Sequence, residues 1–277
     1  MTSNIKVCFI CGAGHSGTTL LGLILGSHPN CFFCGETENT RILRDPNKPF
    51  GKGVCKICGP DCAIWNGIEY SPKLYQQLSA RTEKSVIIDS TKNIPWLEQQ
   101  IETIRNTSNQ PFLILMQRDG RAVLNSYIKR YPERDVKTSI ENWLNKIRTT
   151  NAMFDKFEYK KLKVRYEELA TNSTSTIQNI CQFLEIDYQP EMLNFYQQEQ
   201  HPLGGNDGTM LLVARGQKDR GKEAYVNRST WKIDYYRSHS LEIKLDERWK
   251  QELDPAVERL FQEMAGKENE ELQWHKD

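Results

Sequence analysis

The sequence predicts an α/β fold in which a mostly parallel central sheet lies between two helix layers. Three observations carry that expectation. Short apolar runs without alternation recur along the 277 residues, the pattern of strands buried on both faces. Stretches with helical periodicity separate them. The first apolar run also leads directly into a glycine-rich turn and then an apolar helix.

Taken in order, Ile5–Cys11 is the first strand. Gly12, Gly14 and Gly17 follow with Thr18 and Thr19, then the helical run Leu20–Leu25, stopped at His28-Pro29-Asn30. Glycines let the backbone turn sharply and approach a ligand. A helix N-terminus adds unpaired N–H groups and a positive dipole end. Gly12–Thr19 therefore reads as a cradle for phosphate or sulfate. Its spacing, G-x-x-x-x-G-x-T, is that of a nucleotide P-loop with Thr18 in place of the lysine. The fold is thus P-loop-like and three-layered, with a loop suited to a different anion.

Cys31–Gly67, rich in Gly, Pro and Cys, reads as a small Cys-rich inserted lobe. Pro72–Ala80 is a short helix, and Ser85–Asp89 a buried strand ending on a carboxylate. Pro95–Arg105 is helical, Phe112–Met116 a strand, and Asp119–Tyr131 and Val136–Phe157 helices. Leu162–Tyr166 is a further strand, and Ser173–Leu184 a helix with a Ser/Thr-rich start suited to capping. Residues 204–230, with Arg215, Lys218, Arg220, Lys222 and Arg228, read as a mobile basic segment. Asp246–Leu253 and Pro255–Ala265 close the chain as helices, and one domain spans residues 1–277.

Composition narrows the function. Lys+Arg is 37 against 36 Asp+Glu, a net charge of +1, so a dedicated nucleic-acid partner is not expected. No run approaches the about 18 apolar residues of a membrane helix. The first residues lack a signal-peptide layout, so a cytoplasmic protein is expected. The 8 cysteines then read as thiols or metal ligands rather than disulfides. Cys8, Cys11 and Cys181 fit core positions. Cys31-x-x-Cys34 followed by Cys55-x-x-Cys58 and Cys62 has the spacing of a four-thiolate zinc site. Free thiols packing the lobe are the simpler reading, and no metal is assigned.

In parallel sheets, ligands bind at the carboxyl ends of the strands. Gly12–Thr19, Asp89–Lys92, Arg118–Asp119 and Tyr166–Glu168 all fall there. Q-R-D-G-R-A-V-L-N-S-Y (Gln117–Tyr127) places Arg118 at a strand end and Ser126 two turns into a helix, a grip for a second phosphate. I-D-S-T-K (Ile88–Lys92) aims Lys92 into the site and offers Asp89 as a metal-binding carboxylate. C-G-E-T-E (Cys34–Glu38) supplies Glu36 as a candidate general base.

The ordered set G-A-G-H-S-G-T-T-L-L, D-S-T-K and Q-R-D-G-R-A-V-L-N-S-Y resembles sulfotransferases that use 3′-phosphoadenosine 5′-phosphosulfate (PAPS). The resemblance is closest to the bacterial branch related to tyrosylprotein and heparan-type enzymes. It continues through V-R-Y-E-E-L (Val164–Leu169), C-x-F-L-E-I (Cys181–Ile186), H-P-L-G-G-N (His201–Asn206) and L-D-E-R-W (Leu245–Trp249), covering most of the chain.

The resemblance implies that Gly14, His15, Ser16, Gly17, Thr18 and Thr19 hold the 5′-phosphosulfate. Arg118 and Ser126 would hold the 3′-phosphate and Tyr166 the adenosine side. Lys92 would neutralise the leaving phosphate, and Glu36 would deprotonate the acceptor. The late basic segment would fold over the nucleotide with Asn206 and Arg215. PAPS is then co-substrate and 3′-phosphoadenosine 5′-phosphate (PAP) product.

Two positions depart from the family pattern. Many relatives carry Arg at His15, where a histidine makes the grip pH-dependent and is a second candidate for the base. After Gly204-Gly205-Asn206, relatives often continue Pro-Met-Arg, whereas this chain has Asp207-Gly208-Thr209. The neutral charge balance favours a small-molecule acceptor, a hydroxyl or amine of a specialised metabolite. Cyanobacterial saxitoxin-type sulfotransferases are one such group. The competing readings are a P-loop kinase or NTPase with Asp89 as magnesium carboxylate, and a non-enzymatic nucleotide- or zinc-binding module.

Overall fold

The computed structural model describes residues 4–45, 47–48, 53–218 and 240–274. Strands β1 (Lys6–Gly12), β2 (Cys31–Gly35), β3 (Val86–Asp89), β4 (Gln110–Gln117) and β5 (Lys160–Arg165) form one sheet in the order β2-β3-β1-β4-β5. Every neighbouring pair is parallel. The apolar runs V-C-F-I-C, V-I-I and F-L-I-L-M are buried throughout, which only a sheet covered on both faces allows.

Helix α1 (Thr18–Gly26) carries the chain outward from β1 to β2. Helices α2 (Leu74–Thr82) and α3 (Ile94–Arg105), then α4 (Gly120–Arg130) and α5 (Val136–Lys156), carry it back across the sheet. Right-handed crossovers running in opposite directions put their helices on opposite faces. Accordingly α1 packs on β1 and β2 and against the 3-10 segment Pro190–Gln197, while α3 and α5 pack on β4. Helices α6 (Tyr166–Thr171) and α7 (Ser173–Leu184) follow β5. Among the described residues no helix is long and apolar enough to cross a membrane.

Two sequence expectations need correction. Cys31–Gly35 is not part of the lobe. It is the edge strand β2, every residue buried, paired with β3. Backbone pairing and the buried Phe32 and Phe33 outweigh the Cys/Gly signals that suggested irregular structure. The insertion therefore begins after Gly35. The segment read as mobile and basic from residue 204 is, at Asp207–Lys218, helix α8. Met210, Leu211, Leu212 and Val213 are all buried along it, an apolar run masked in the sequence by neighbouring glycines and bases. Residues 219–230 of that stretch lie outside the described residues.

A second core, with Ala13, Val123, Trp143 and Phe261 in it, joins α4 and α5 to α9 (Pro255–Asn269). Asp119 ties the start of α4 into this core: it is fully buried and accepts from the N–H groups of Arg121 at 2.9 Å and Trp274 at 3.0 Å. Arg118, one residue earlier, is thereby fixed at the end of β4.

Candidate active site

Strand, glycine turn and helix follow one another as the spacing predicts. Gly17 is the N-cap of α1 at φ 94°, a left-handed conformation, and a Cβ there would lie 2.9 Å from the Tyr166 ring. No side chain among the described residues caps this helix. Its first-turn amides therefore point out of the helix end, where Gly17, Thr18, Thr19 and Leu20 line a cleft of about 380 Å³. His15 is also left-handed, at φ 63°, a conformation that costs a non-glycine residue about 1–2 kcal/mol. Its carbonyl accepts from Arg118 Nη1 at 2.8 Å, and its ring meets Tyr127 edge-on at 5.1 Å.

Arg118 forms a shelf beside the cradle. Its guanidinium lies 4.2 Å over the Tyr166 ring, and its Nη2 donates to the backbone and carboxylate oxygens of Asp246 at 3.2 and 3.3 Å. Its Nε is buried with no hydrogen-bond partner among the described residues. Arg248 grips the same carboxylate through Nε at 2.7 Å and Nη2 at 2.8 Å. Burial would raise the Asp246 pKa, but Arg248 and Arg118 hold it well below the usual carboxylate range. Two guanidiniums share one carboxylate, so the shelf keeps a positive surplus. Burial raises the Tyr166 pKa, keeping a phenol that donates to the Lys244 carbonyl at 3.2 Å.

The opposite lip carries an ion pair. Glu36 follows β2, Lys92 follows β3, and Lys92 Nζ stands 2.5 Å from Glu36 Oε1. Both are about a quarter exposed, at 25% and 28% of their side-chain area. Asp89 fastens the two segments together. It is fully buried and accepts from Thr91 N at 2.8 Å, Thr91 Oγ1 at 2.6 Å, Tyr75 OH at 2.8 Å and Thr37 N at 3.3 Å, and also from the Thr37 hydroxyl. Both its oxygens are occupied and neither faces the cleft. It is a structural hub, not the magnesium carboxylate of an NTPase, and that alternative loses its residue. Lys146 of α5 lies under the pair and donates to the Lys92 carbonyl. Its pKa is lowered by burial first and by Lys92 second.

Of the residues singled out in the sequence, Gly14, His15, Gly17, Thr18, Thr19, Glu36, Lys92, Arg118, Ser126, Tyr166 and Asn206 all line this one cleft. Two do not. Ser16 is 1% exposed and donates its hydroxyl to the Ala13 carbonyl at 2.7 Å, so it braces the loop from inside. Arg215 sits two turns along α8, away from the lining. Asn206 donates its N–H to Thr19 Oγ1 at 3.0 Å, and its side chain accepts from Thr209 N at 3.1 Å. The departure Asp207-Gly208-Thr209 thus starts a helix directly over the cradle.

Four lining cations were not singled out: Lys129, Arg130, Lys244 and Arg248. The first two stand three and four residues after Ser126, on the same helical face, so the period alone could have found them. Lys244 comes from irregular chain far along the sequence and carries no such signal, whereas Arg248 falls in the Leu245–Trp249 run that is part of the resemblance and caps the short helix Trp249–Glu252.

The cysteines sort differently from their spacing. Cys31 and Cys34 are strand residues, and Cys34 Sγ donates to the Ile88 carbonyl at 2.7 Å. Burial raises both thiol pKa values. A four-thiolate site from these two with Cys55 and Cys58 is not formed. Instead Cys55, Cys58 and Cys62 meet His201.

Comparison with known proteins places the chain in a family. The model of the sulfotransferase family Sulfotransfer_3 matches residues 8–190. A curated Caenorhabditis briggsae protein, named as a candidate protein-tyrosine sulfotransferase, is 26% identical over 204 residues, covering 71% of this chain and 72% of its own. The sulfotransferase domain of the Synechococcus PCC 7002 olefin synthase superposes with a TM-score of 0.56 at 17% identity, over 94% of this chain and 96% of its own. Mouse sulfotransferase SULT7A1, solved with PAP, gives 0.52 at 14% identity, over 95% and 83%. At such identities the two structures show the shared fold. The family match runs from the cradle through Glu36, Lys92, Arg118 and Tyr166, and the chain belongs to the sulfotransferase family.

Proposed function

We propose that the chain transfers the sulfuryl group of PAPS to a hydroxyl or amine of a small-molecule acceptor. One observation carries this reading: the uncapped end of α1 and the Arg118–Ser126 shelf open onto one cleft, facing the Glu36–Lys92 pair. Two anion grips suit a ligand with phosphate groups at two positions, and the unpartnered Nε of Arg118 leaves a buried donor for one of them. When bound, PAPS supplies the sulfuryl group and a phosphate leaving group.

The residues divide the work. The first-turn amides of α1 hold the 5′ group. Arg118 holds the 3′-phosphate, with Ser126 turning its hydroxyl from the Ala122 carbonyl, to which it donates at 3.0 Å. Glu36 takes the acceptor proton. The bond from sulfur to the phosphate oxygen breaks as the bond to the acceptor forms, and the electron pair goes to the leaving phosphate. Lys92, released from Glu36, neutralises that charge. Positioning and electrostatic stabilisation do most of the work in such a transfer, as for phosphoryl groups.

Thermal shift distinguishes this from nucleotide hydrolysis. PAP raises the melting temperature, while ATP with magnesium gives a smaller shift. Stabilisation by ATP with magnesium alone would sink the proposal. The acceptor is sought by incubating the enzyme and PAPS with hydroxylated and aminated metabolites and with tyrosyl peptides, scoring added sulfuryl mass. The Caenorhabditis briggsae relative motivates the peptide arm. Transfer to peptides alone would replace the small-molecule reading.

A further inference from the structure

The cluster at Cys55, Cys58, Cys62 and His201 stands apart from the proposed chemistry. Cys55-Lys56-Ile57-Cys58-Gly59 is a tight turn in which Gly59 N donates to the Cys55 carbonyl at 3.0 Å. The Cys58 N–H donates to Cys55 Sγ at 3.4 Å, the contact that stabilises a thiolate. His201, far along the chain, places Nδ1 3.2 Å from Cys58 Sγ and 3.4 Å from Cys62 Sγ. All four donor atoms lie within 4.8 Å of one another.

A tetrahedral zinc ion with bonds of about 2.3 Å to sulfur and about 2.0 Å to nitrogen separates its sulfurs by about 3.8 Å and sulfur from nitrogen by about 3.5 Å. The two sulfur–nitrogen distances, 3.2 and 3.4 Å, are already near that value, and every other pair of donor atoms lies within 4.8 Å. Its surroundings match a metal site as well. His201 Nε2 lies 3.3 Å from Glu199 Oε1, so a carboxylate backs the ring nitrogen that faces away from the sulfurs. Trp65 Nε1 donates to the His201 carbonyl at 2.7 Å and fixes the histidine backbone.

We infer that Cys55, Cys58, Cys62 and His201 form a structural zinc site that clips the cysteine-rich lobe to the His201–Asn206 turn. Three thiolates and an imidazole are a soft set that selects zinc over magnesium or calcium. Four protein ligands close the tetrahedron, which marks a structural rather than a catalytic ion. The clip adjoins the backbone that leads to Glu36 and Asn206 in the cleft. Lys56 N donates to the Pro202 carbonyl at 2.9 Å, Glu36 N to the Leu203 carbonyl at 2.8 Å, and Leu203 N to the Cys34 carbonyl at 2.8 Å. Gly35 makes that approach possible: at φ 80°, a Cβ on it would lie 2.6 Å from Leu203 N. Zinc would thus fix the strip of backbone from which Glu36 projects and which carries Asn206 to Thr19.

The test is metal analysis of the full chain purified without chelator. About one zinc per chain is expected, falling below about 0.2 in Cys58→Ser and in His201→Ala. Cobalt loaded in place of zinc should give the intense visible bands of tetrahedral thiolate coordination. A strong chelator should lower the melting temperature of the wild type by about 5 °C or more and leave Cys58→Ser unmoved. Less than about one tenth of an equivalent of zinc, together with no cobalt bands from the wild type, would overturn the proposal. So would zinc retained in full by a Cys58→Ser/His201→Ala double variant. The wild-type spectrum keeps the test decisive if a variant fails to fold.

Discussion

The loop between β1 and α1 and the Glu36–Lys92 pair line one cleft, yet they are built in opposite ways. The loop is local. Gly17, Thr18 and Thr19 are consecutive, and their amides point outward because a helix begins there. The ion pair is assembled from distant chain. Glu36 hangs on Leu203, Lys92 on Lys146, and Asp89 ties Thr37 to Thr91. A local anion grip can form wherever strand, turn and helix form. The ion pair needs the edge strand, the lobe and the His201–Asn206 turn to be in place together. Binding at the cradle should therefore survive damage to the ion pair.

The largest expected effect tests that separation. Lys92→Ala removes the cation assigned to the leaving phosphate and should lower kcat about 10³–10⁴-fold in a sulfuryl-transfer assay, as loss of a charge-stabilising cation does in phosphoryl transfer. The thermal shift given by PAP should persist. Loss of that shift along with activity would mean that the two lips act as one binding unit. Glu36→Gln comes next, with a loss of about 10²–10³-fold and again an intact PAP shift. Wild-type turnover by this variant would move the base to His15, whose ring lies on the cradle side.

The same contrast explains what the sequence made legible. The cradle, Arg118 and Ser126 follow from spacing, because a strand end and a helical period place them without help from the rest of the chain. Edge strand β2 was not legible, because its hydrogen bonds go to β3 and its cysteines and glycine imitate a loop. Asp89 read as a metal ligand because a carboxylate at a strand end faces the site in many folds. Only the buried donors Tyr75, Thr37 and Thr91 turn it inward. His201 could not be assigned to the cysteines from spacing, since the partners lie about 140 residues apart along the chain. Local geometry is written in short words of sequence, whereas long-range fastening is written in pairs that only folding brings together.

On the cradle side, Arg118→Ala should weaken PAP binding about 10–100-fold, the loss expected for charge-assisted hydrogen bonds to a phosphate. Adenosine 5′-phosphosulfate, which lacks the 3′-phosphate, should bind the variant and the wild type alike, by competition or calorimetry. Equal weakening of both ligands would show that Arg118 supports the loop through the His15 carbonyl rather than reading the 3′-phosphate.

The smallest effect concerns how the shelf is held. The Asp246 carboxylate, pulled down by Arg248 and Arg118 against its burial, favours the folded state only while ionised. Its folded pKa is depressed, so its contribution is complete above the unfolded value near about 4 and is lost as pH falls towards the folded one. Asp246→Asn should therefore destabilise the protein by about 1–3 kcal/mol at neutral pH. The gap between variant and wild type in urea unfolding should close as pH falls below about 4. A gap that stays constant through that range would mean that the hydrogen bonds of Asp246, not its charge, hold Arg118 over Tyr166. The positive surplus of the shelf would then play no part in its stability, and the difference between the two lips would lie in geometry alone.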